Sequence, residues 1–132
     1  MEKFYLMIAG SRDFDNYKCL NQICDYLLQN VSNEIVIVSG GARGADRLAE
    51  HYAYTHNHEL MVFKADWNKY GKCAGYRRNE EMQNFIAAKK HKGIICFWDG
   101  KSKGTKHNFE LAKKLNNSLR IYNYTTNQFL ST

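Results

Sequence analysis

Phe4-Tyr5-Leu6-Met7-Ile8-Ala9 is an unbroken apolar run that stops at Gly10-Ser11-Arg12-Asp13. Hydrophobicity without alternation is the mark of a strand covered on both faces, as in a parallel sheet. Glu34-Ile35-Val36-Ile37-Val38 repeats the pattern and closes on Ser39-Gly40-Gly41. Between the two runs Leu20, Ile23, Cys24, Leu27, Leu28 and Val31 recur at helical spacing. Further along, Ala45, Leu48, Ala49 and Tyr52 form the stripe of a second helix, and Leu60 to Phe63 a third strand. Met82, Phe85 and Ile86 mark a third helix beginning near Gly75, and Gly93 to Trp98 a fourth strand. Leu111, Ala112 and Leu115 lie on a fourth helix, and Leu119 to Tyr124 is a fifth strand. This alternation predicts an α/β fold: a doubly wound, parallel five-stranded sheet with helices on both faces and strand order 3-2-1-4-5.

The chain of 132 residues has the length of one domain, 1–132, and is 44% hydrophobic and 24% charged, ordinary globular values. No apolar run approaches the roughly 20 residues of a membrane-spanning helix. Met1-Glu2-Lys3-Phe4 runs straight into a strand, which argues against a signal peptide. Cys19, Cys24, Cys73 and Cys96 have neither CxxC spacing nor disulfide density, which points to a reducing cytoplasm. No metal site or cofactor follows from the residues, because the five histidines stand apart from any cysteine pair and no carboxylate cluster is visible. The net charge of +6 favours anionic partners without choosing among them. Lys89-Lys90-His91-Lys92 reads as a solvated helix end.

Loops of special composition follow strands one, two and four: Gly10 to Asp13, Ser39 to Asp46, and Asp99-Gly100-Lys101-Ser102-Lys103-Gly104-Thr105. In an open parallel sheet the carboxyl ends of the strands share one edge, and ligands bind there where strand order reverses. With strand one central, all three loops line one crevice. Glycines let backbone N–H groups approach a ligand, and each following helix offers a positive N-terminus, so phosphate is the natural occupant. Neither a GxGxxG fingerprint nor a Walker loop is present.

The long segment after strand three carries Trp67, Tyr70, Arg77, Arg78 and Asn79. Two arginines in the first turn of a helix oppose its dipole unless an anion or a carboxylate compensates. A bound phosphate does this, and so does pairing with Asp66, Glu80 or Glu81, with one of the two arginines structural. Trp67 and Tyr70 either stack on a base or cap the sheet edge, whereas Trp98 packs. Asp46, in the first turn of helix two, favours the dipole, accepts ribose hydroxyls, or holds Arg43 or Arg12. His51 and His107 read as surface residues. The aromatics Tyr52, Tyr54, Trp67 and Tyr70 read as exposed and suited to a subunit interface.

Four stretches carry a resemblance: Gly10-Ser11-Arg12-Asp13-Phe14, Ser39-Gly40-Gly41-Ala42-Arg43-Gly44-Ala45-Asp46, the segment from Trp67 through Arg78-Asn79-Glu80-Glu81-Met82, and Trp98-Asp99-Gly100 with Gly104-Thr105. Together they resemble the YspA-type branch of the SLOG superfamily, related to the DNA-processing protein DprA (Smf) and to the LOG cytokinin-activating enzymes. The resemblance implies a Rossmann-like domain, often a homodimer or larger homo-oligomer, that binds a nucleotide or nucleotide-derived ligand. By match its ligand-binding positions are Gly10, Ser11, Arg12, Ser39, Gly40, Gly41, Arg78, Asn79, Gly104 and Thr105. Arg43, Asp46, Trp67, Arg77, Asp99 and Gly100 join them from the loop reading.

Three functions follow from the resemblance. LOG enzymes are phosphoribohydrolases that use a glutamate in a PGGxGTxxE motif, and Asn108 stands in its place here. An amide neither takes nor gives a proton, so hydrolysis would need Glu110, Asp13 or Asp46 instead. Ser39-Gly40-Gly41-Ala42-Arg43-Gly44 is similar to the SGxARG run of DprA, which implies single-stranded DNA binding, but the flanking DprA domains are absent from this sequence. The favoured expectation is a sensor, carrier or sink for a nucleotide-derived signal of the ADP-ribose type, in a bacterium or a phage.

Overall fold

The computed structural model describes residues 2–131. Its elements run β1 (Lys3–Gly10), α1 (Tyr17–Leu28), β2 (Glu34–Ser39), α2 (Ala45–Thr55), β3 (Glu59–Val62), α3 (Trp67–Tyr70), a 3-10 turn (Gly71–Cys73), α4 (Ala74–Ala87), β4 (His91–Trp98), α5 (Lys103–Lys114), β5 (Leu119–Asn123) and β6 (Gln128–Leu130). The sheet order is β3-β2-β1-β4-β5-β6. The first five strands are parallel and stand in the expected order.

Side-chain alternation along β1 divides the core into two layers. Leu6 and Ile8 join Leu20, Cys24, Ala49 and Tyr52 under α1 and α2. Met7 and Ala9 join Met82, Ile86, Phe109 and Ala112 under α4 and α5. The chain thus winds outward over one face through β2 and β3. It crosses back through α4 and continues over the other face, which leaves the switch point between β1 and β4.

Some expectations change. The sheet has six strands, because β6 pairs antiparallel with β5. Three residues, Gln128-Phe129-Leu130, are too few to show a period in sequence. Lys89-Lys90-His91-Lys92 is not a helix end: α4 stops at Ala87, and His91 and Lys92 open β4. Tyr52 is buried, with its hydroxyl donating to Asp25 Oδ1 at 2.7 Å, and is not available to an interface. Tyr54 and Trp67 are exposed. No helix among the described residues is long and apolar enough to cross a membrane.

Gly10 is fixed by packing. A Cβ there would collide with the Phe97 carbonyl oxygen and stand 2.7 Å from Ala45 Cβ, whereas a Cβ on Gly104 meets nothing within 4 Å. Gly10→Ala is therefore expected to lower stability by about 1–3 kcal/mol through overpacking. Gly104→Ala leaves stability unchanged or slightly raises it, since alanine is the better helix former. Denaturant unfolding of both variants checks this, and equal losses would contradict the packing account.

Candidate functional site

The carboxyl edge of β1 is tied to its neighbours through Ser11. Its backbone N–H donates to Phe97 O at 2.9 Å, and its carbonyl accepts from Phe14 N at 3.2 Å and Ala45 N at 3.3 Å. Its hydroxyl accepts from Asp99 N at 3.3 Å. These bonds bring the first, second and fourth loops around one cavity of about 520 Å³. Of the residues expected at a ligand, Gly10, Ser11, Arg12, Arg43, Asp46, Trp67, Arg78, Asn79, Asp99, Gly104 and Thr105 line it.

Five others do not line it. Ser39 is fully buried, and its hydroxyl donates to Asp46 O at 3.0 Å and accepts from Gly41 N at 3.3 Å. Gly40 and Gly41 face an adjoining cavity. Gly100 forms an exposed turn at φ +85°. Arg77 is exposed and stacks its guanidinium 4.8 Å from the Tyr70 ring centroid, outside the cavity.

Arg78 is set differently. Nη1 donates to the Gly40 carbonyl and Nε donates to Asn79 Oδ1 at 2.9 Å. Both acceptors are neutral, and among the described residues no carboxylate lies within ion-pairing distance of the guanidinium. Burial lowers its pKa, with the Asp46 carboxylate acting in the opposite sense. Three of its five N–H donors remain unassigned to protein acceptors. Asn79 extends the chain of bonds, donating to His107 Nδ1 at 3.3 Å and Gly104 O at 3.4 Å. His107 is therefore half-buried and engaged, contrary to the surface reading. Burial lowers its pKa, and it meets the Tyr76 ring edge-on at 4.6 Å.

The backbone donors are fewer than the glycines suggest. Ser11 N and Gly41 N are bonded internally, and Ala42 N donates to Asp46 Oδ2 at 3.1 Å. At the start of α5, Ser102 Oγ accepts from Thr105 N at 3.4 Å and lies 3.1 Å from Thr105 Oγ1. Thr105 is thus part of a helix cap rather than a free donor. Trp98 packs edge-on against Phe109 and donates from Nε1 to Ser102 O at 3.1 Å, holding that cap in place. Asp99 Oδ1 accepts from Lys101 N at 2.8 Å and Ser102 N at 2.7 Å. Burial alone would raise its pKa, but these N–H donors outweigh it and hold the carboxyl below its ordinary value. Beside these bonded amides the cavity offers the side-chain cations of Arg12, Arg43 and Arg78, with Lys72 and Lys101 at its walls, and the carboxyls of Asp13, Asp46 and Asp99.

Tyr76, Lys72, Lys101 and Asn108 also line the cavity and stand outside the expected set. Tyr76 precedes the two arginines directly, so the helical first turn that singled them out places it at the same edge. Asn108 is 5% exposed, and its carbonyl and Oδ1 accept from Gln83 Nε2 at 2.9 Å and 3.4 Å.

Asp46 is 5% exposed and contacts neither Arg43 nor Arg12 as an ion pair. Burial pushes its carboxyl up to about 6, against the pull of Arg78 and of the Ala42 N–H. With the folded pKa above the unfolded one, the ionised form opposes folding above that value. The lost stability returns as pH falls through 6 towards the unfolded pKa. Asp46→Asn is expected to raise stability near neutral pH, with the gain shrinking below pH about 6 and vanishing below about 4. Thermal unfolding across that range checks this, and a pH-independent difference would contradict it.

The family model described as the YspA, cpYpsA-related SLOG family matches residues 5–70, from β1 through α3. The "Gene 61 protein" of Mycobacterium phage D29 is 34% identical over 115 residues, which cover 83% of this chain and 88% of that protein. Among solved structures, a chain from Methanocaldococcus jannaschii described as a predicted subunit of tRNA methyltransferase aligns with a TM-score of 0.39 at 13% identity. That alignment covers 90% of this chain and 66% of the other. With its doubly wound sheet and the matched loops at the switch point, the chain belongs to the YspA, cpYpsA-related SLOG family.

Proposed function

We propose that the cleft binds a nucleotide or nucleotide-derived signal of the ADP-ribose type, and that the protein serves as a sensor, carrier or sink for it. Arg78 carries this reading: a half-buried guanidinium, bonded only to neutral acceptors, faces a cavity at the switch point of the sheet. A phosphate supplies the counter-charge it lacks, through charge-assisted bonds worth about 1.5–3 kcal/mol each when shielded. Arg12 lies 6.0 Å over one face of the Trp67 ring, yet Trp67 stays 51% exposed, which supports its reading as a platform for a base. SLOG membership supports a nucleotide-related ligand, and the relative in a mycobacteriophage supports a setting in phage biology. Exposed Tyr54 and Trp67 are the residues that support self-association, which light scattering at several concentrations would test.

Asp46 supports a second reading, hydrolysis of an N-glycosidic bond. A cavity carboxyl with a pKa of about 6 is matched to proton transfer near neutral pH. It would stand in for the carboxylate that Asn108 replaces.

Thermal-shift screening against nucleotides, cyclic dinucleotides, ADP-ribose derivatives and short oligonucleotides, with chromatography of each hit, separates the readings. The expected result is a small-molecule hit recovered intact, with Arg78→Ala weakening it at least about tenfold while unfolding stays cooperative. Recovery of free base and ribose phosphate, abolished by Asp46→Asn, would establish the hydrolase instead. Affinity that climbs with oligonucleotide length would favour a nucleic-acid groove. Unchanged affinity in Arg78→Ala would remove the guanidinium from the site.

A further inference from the structure

Beyond Trp67 and Arg12 the cleft continues into a second cavity of about 450 Å³. Arg12, Arg43, Trp67 and Arg78 line both cavities, so the two adjoin across a shared wall. Their electrostatics differ. Asp13, Asp46 and Asp99 stand in the walls of the first, whereas among the described residues the walls of the second contain no carboxylate. Its charged residues are Arg12, Arg43, Lys64 and Arg78, all positive. None of the four forms an ion pair among the described residues. Cations gathered around one concavity repel one another, and low-dielectric walls focus that field onto whatever enters.

Lys64 has no place in the first cavity. It lies two residues past the end of β3, at the same carboxyl edge that carries the other loops. Phe63 N donates to Ser39 O at 2.8 Å, which carries the backbone ladder beyond β3 and sets the start of this segment beside the second loop. The second cavity is therefore a built extension of the crevice, with its own cation and with Arg78 reachable from both sides.

We infer that the second cavity is a subsite for a second anionic group of the same ligand. The inference rests on the nucleotide reading above and narrows it to nucleotides that carry two separated phosphoryl groups. One phosphate lies in the main cavity against Arg78. The other lies in the adjoining cavity against Lys64, and the nucleoside spans the Trp67 wall between them. A ribose phosphate on a mononucleotide and a ribose phosphate on a dinucleotide offer the same chemistry to Lys64.

The test compares AMP, adenosine 3′,5′-bisphosphate and a 2′-phosphorylated dinucleotide, NADP, by calorimetry at low salt on wild type and Lys64→Ala. The wild type should bind at least one of the doubly phosphorylated probes about tenfold or more tightly than AMP. Lys64→Ala should remove that advantage and leave the AMP affinity within about twofold. Which of the two probes gains identifies whether the second phosphate comes from a mononucleotide or a dinucleotide. Equal affinities on wild type, or a Lys64→Ala effect shared equally by AMP, would overturn the subsite. If no nucleotide binds, the nucleotide reading fails by itself, and phosphate against tripolyphosphate then decides the subsite. A Lys64-dependent advantage for tripolyphosphate would uphold an anion subsite, and its absence would overturn one.

Discussion

Ser11 occupies the point where strand order reverses, and its polar groups join its own loop to two segments that are distant in sequence. The N–H reaches the end of β4, the carbonyl reaches the start of α2, and the hydroxyl receives the Asp99 N–H of the loop before α5. The crossing is possible because Gly10 has no Cβ to strike the Phe97 carbonyl. The first, second and fourth loops of the cleft are tied together at this junction. A residue larger than serine would separate the first and fourth loops, and a residue without a hydroxyl would leave the Asp99 N–H without its acceptor.

The cleft built on that junction presents side-chain cations where several of its loop amides are already bonded internally. Glycine-rich loops at helix starts often hold phosphate with free amides. Here Ser39, Asp46 and Ser102 take up several of those amides. The second loop acts as a mount, since its Gly40 carbonyl orients the Arg78 guanidinium. Gly40 itself must stay small, because a Cβ would lie 2.8 Å from both Arg78 Nη1 and Asp46 Oδ2. The pair Arg78 and Asp46 is consequently held close without an ion-pair bond. A buried carboxyl with a raised pKa thus stands beside a guanidinium short of counter-charge. A bound phosphate would compensate the guanidinium and further disfavour the ionised carboxyl, so binding and Asp46 protonation are coupled through one neighbour.

The order of the parallel strands was legible because β1, β2 and β4 are apolar on both faces and each ends at a glycine or an aspartate-glycine turn. β6 was not, since three residues at a free edge carry no period. The three loops could be assigned to one edge from topology alone, and that rule also covers Lys64, which lies two residues past the end of β3. The roles of individual donors were not legible. Whether Ser39 and Thr105 offer hydroxyls to a ligand depends on which way they turn, and each is satisfied by a neighbour a few residues away. Arg77 and Arg78 are adjacent in sequence, yet helical geometry sends one onto Tyr70 and the other beneath Gly40. His107 looked isolated because its partners Tyr76 and Asn79 come from a different helix.

The central claim is that one cation-lined crevice at the β1–β4 switch point holds a nucleotide phosphate. Amide chemical-shift mapping of the isotope-labelled protein during titration with ADP-ribose 2′-phosphate tests it most directly. The account predicts saturable shifts confined to Gly10 to Asp13, Gly40 to Asp46, Lys64 and Ala65, the segment around Trp67 and Arg78, and Lys101 to Thr105. Saturable shifts centred instead on the outer faces of α1 or α5, with these loops unmoved, would contradict it.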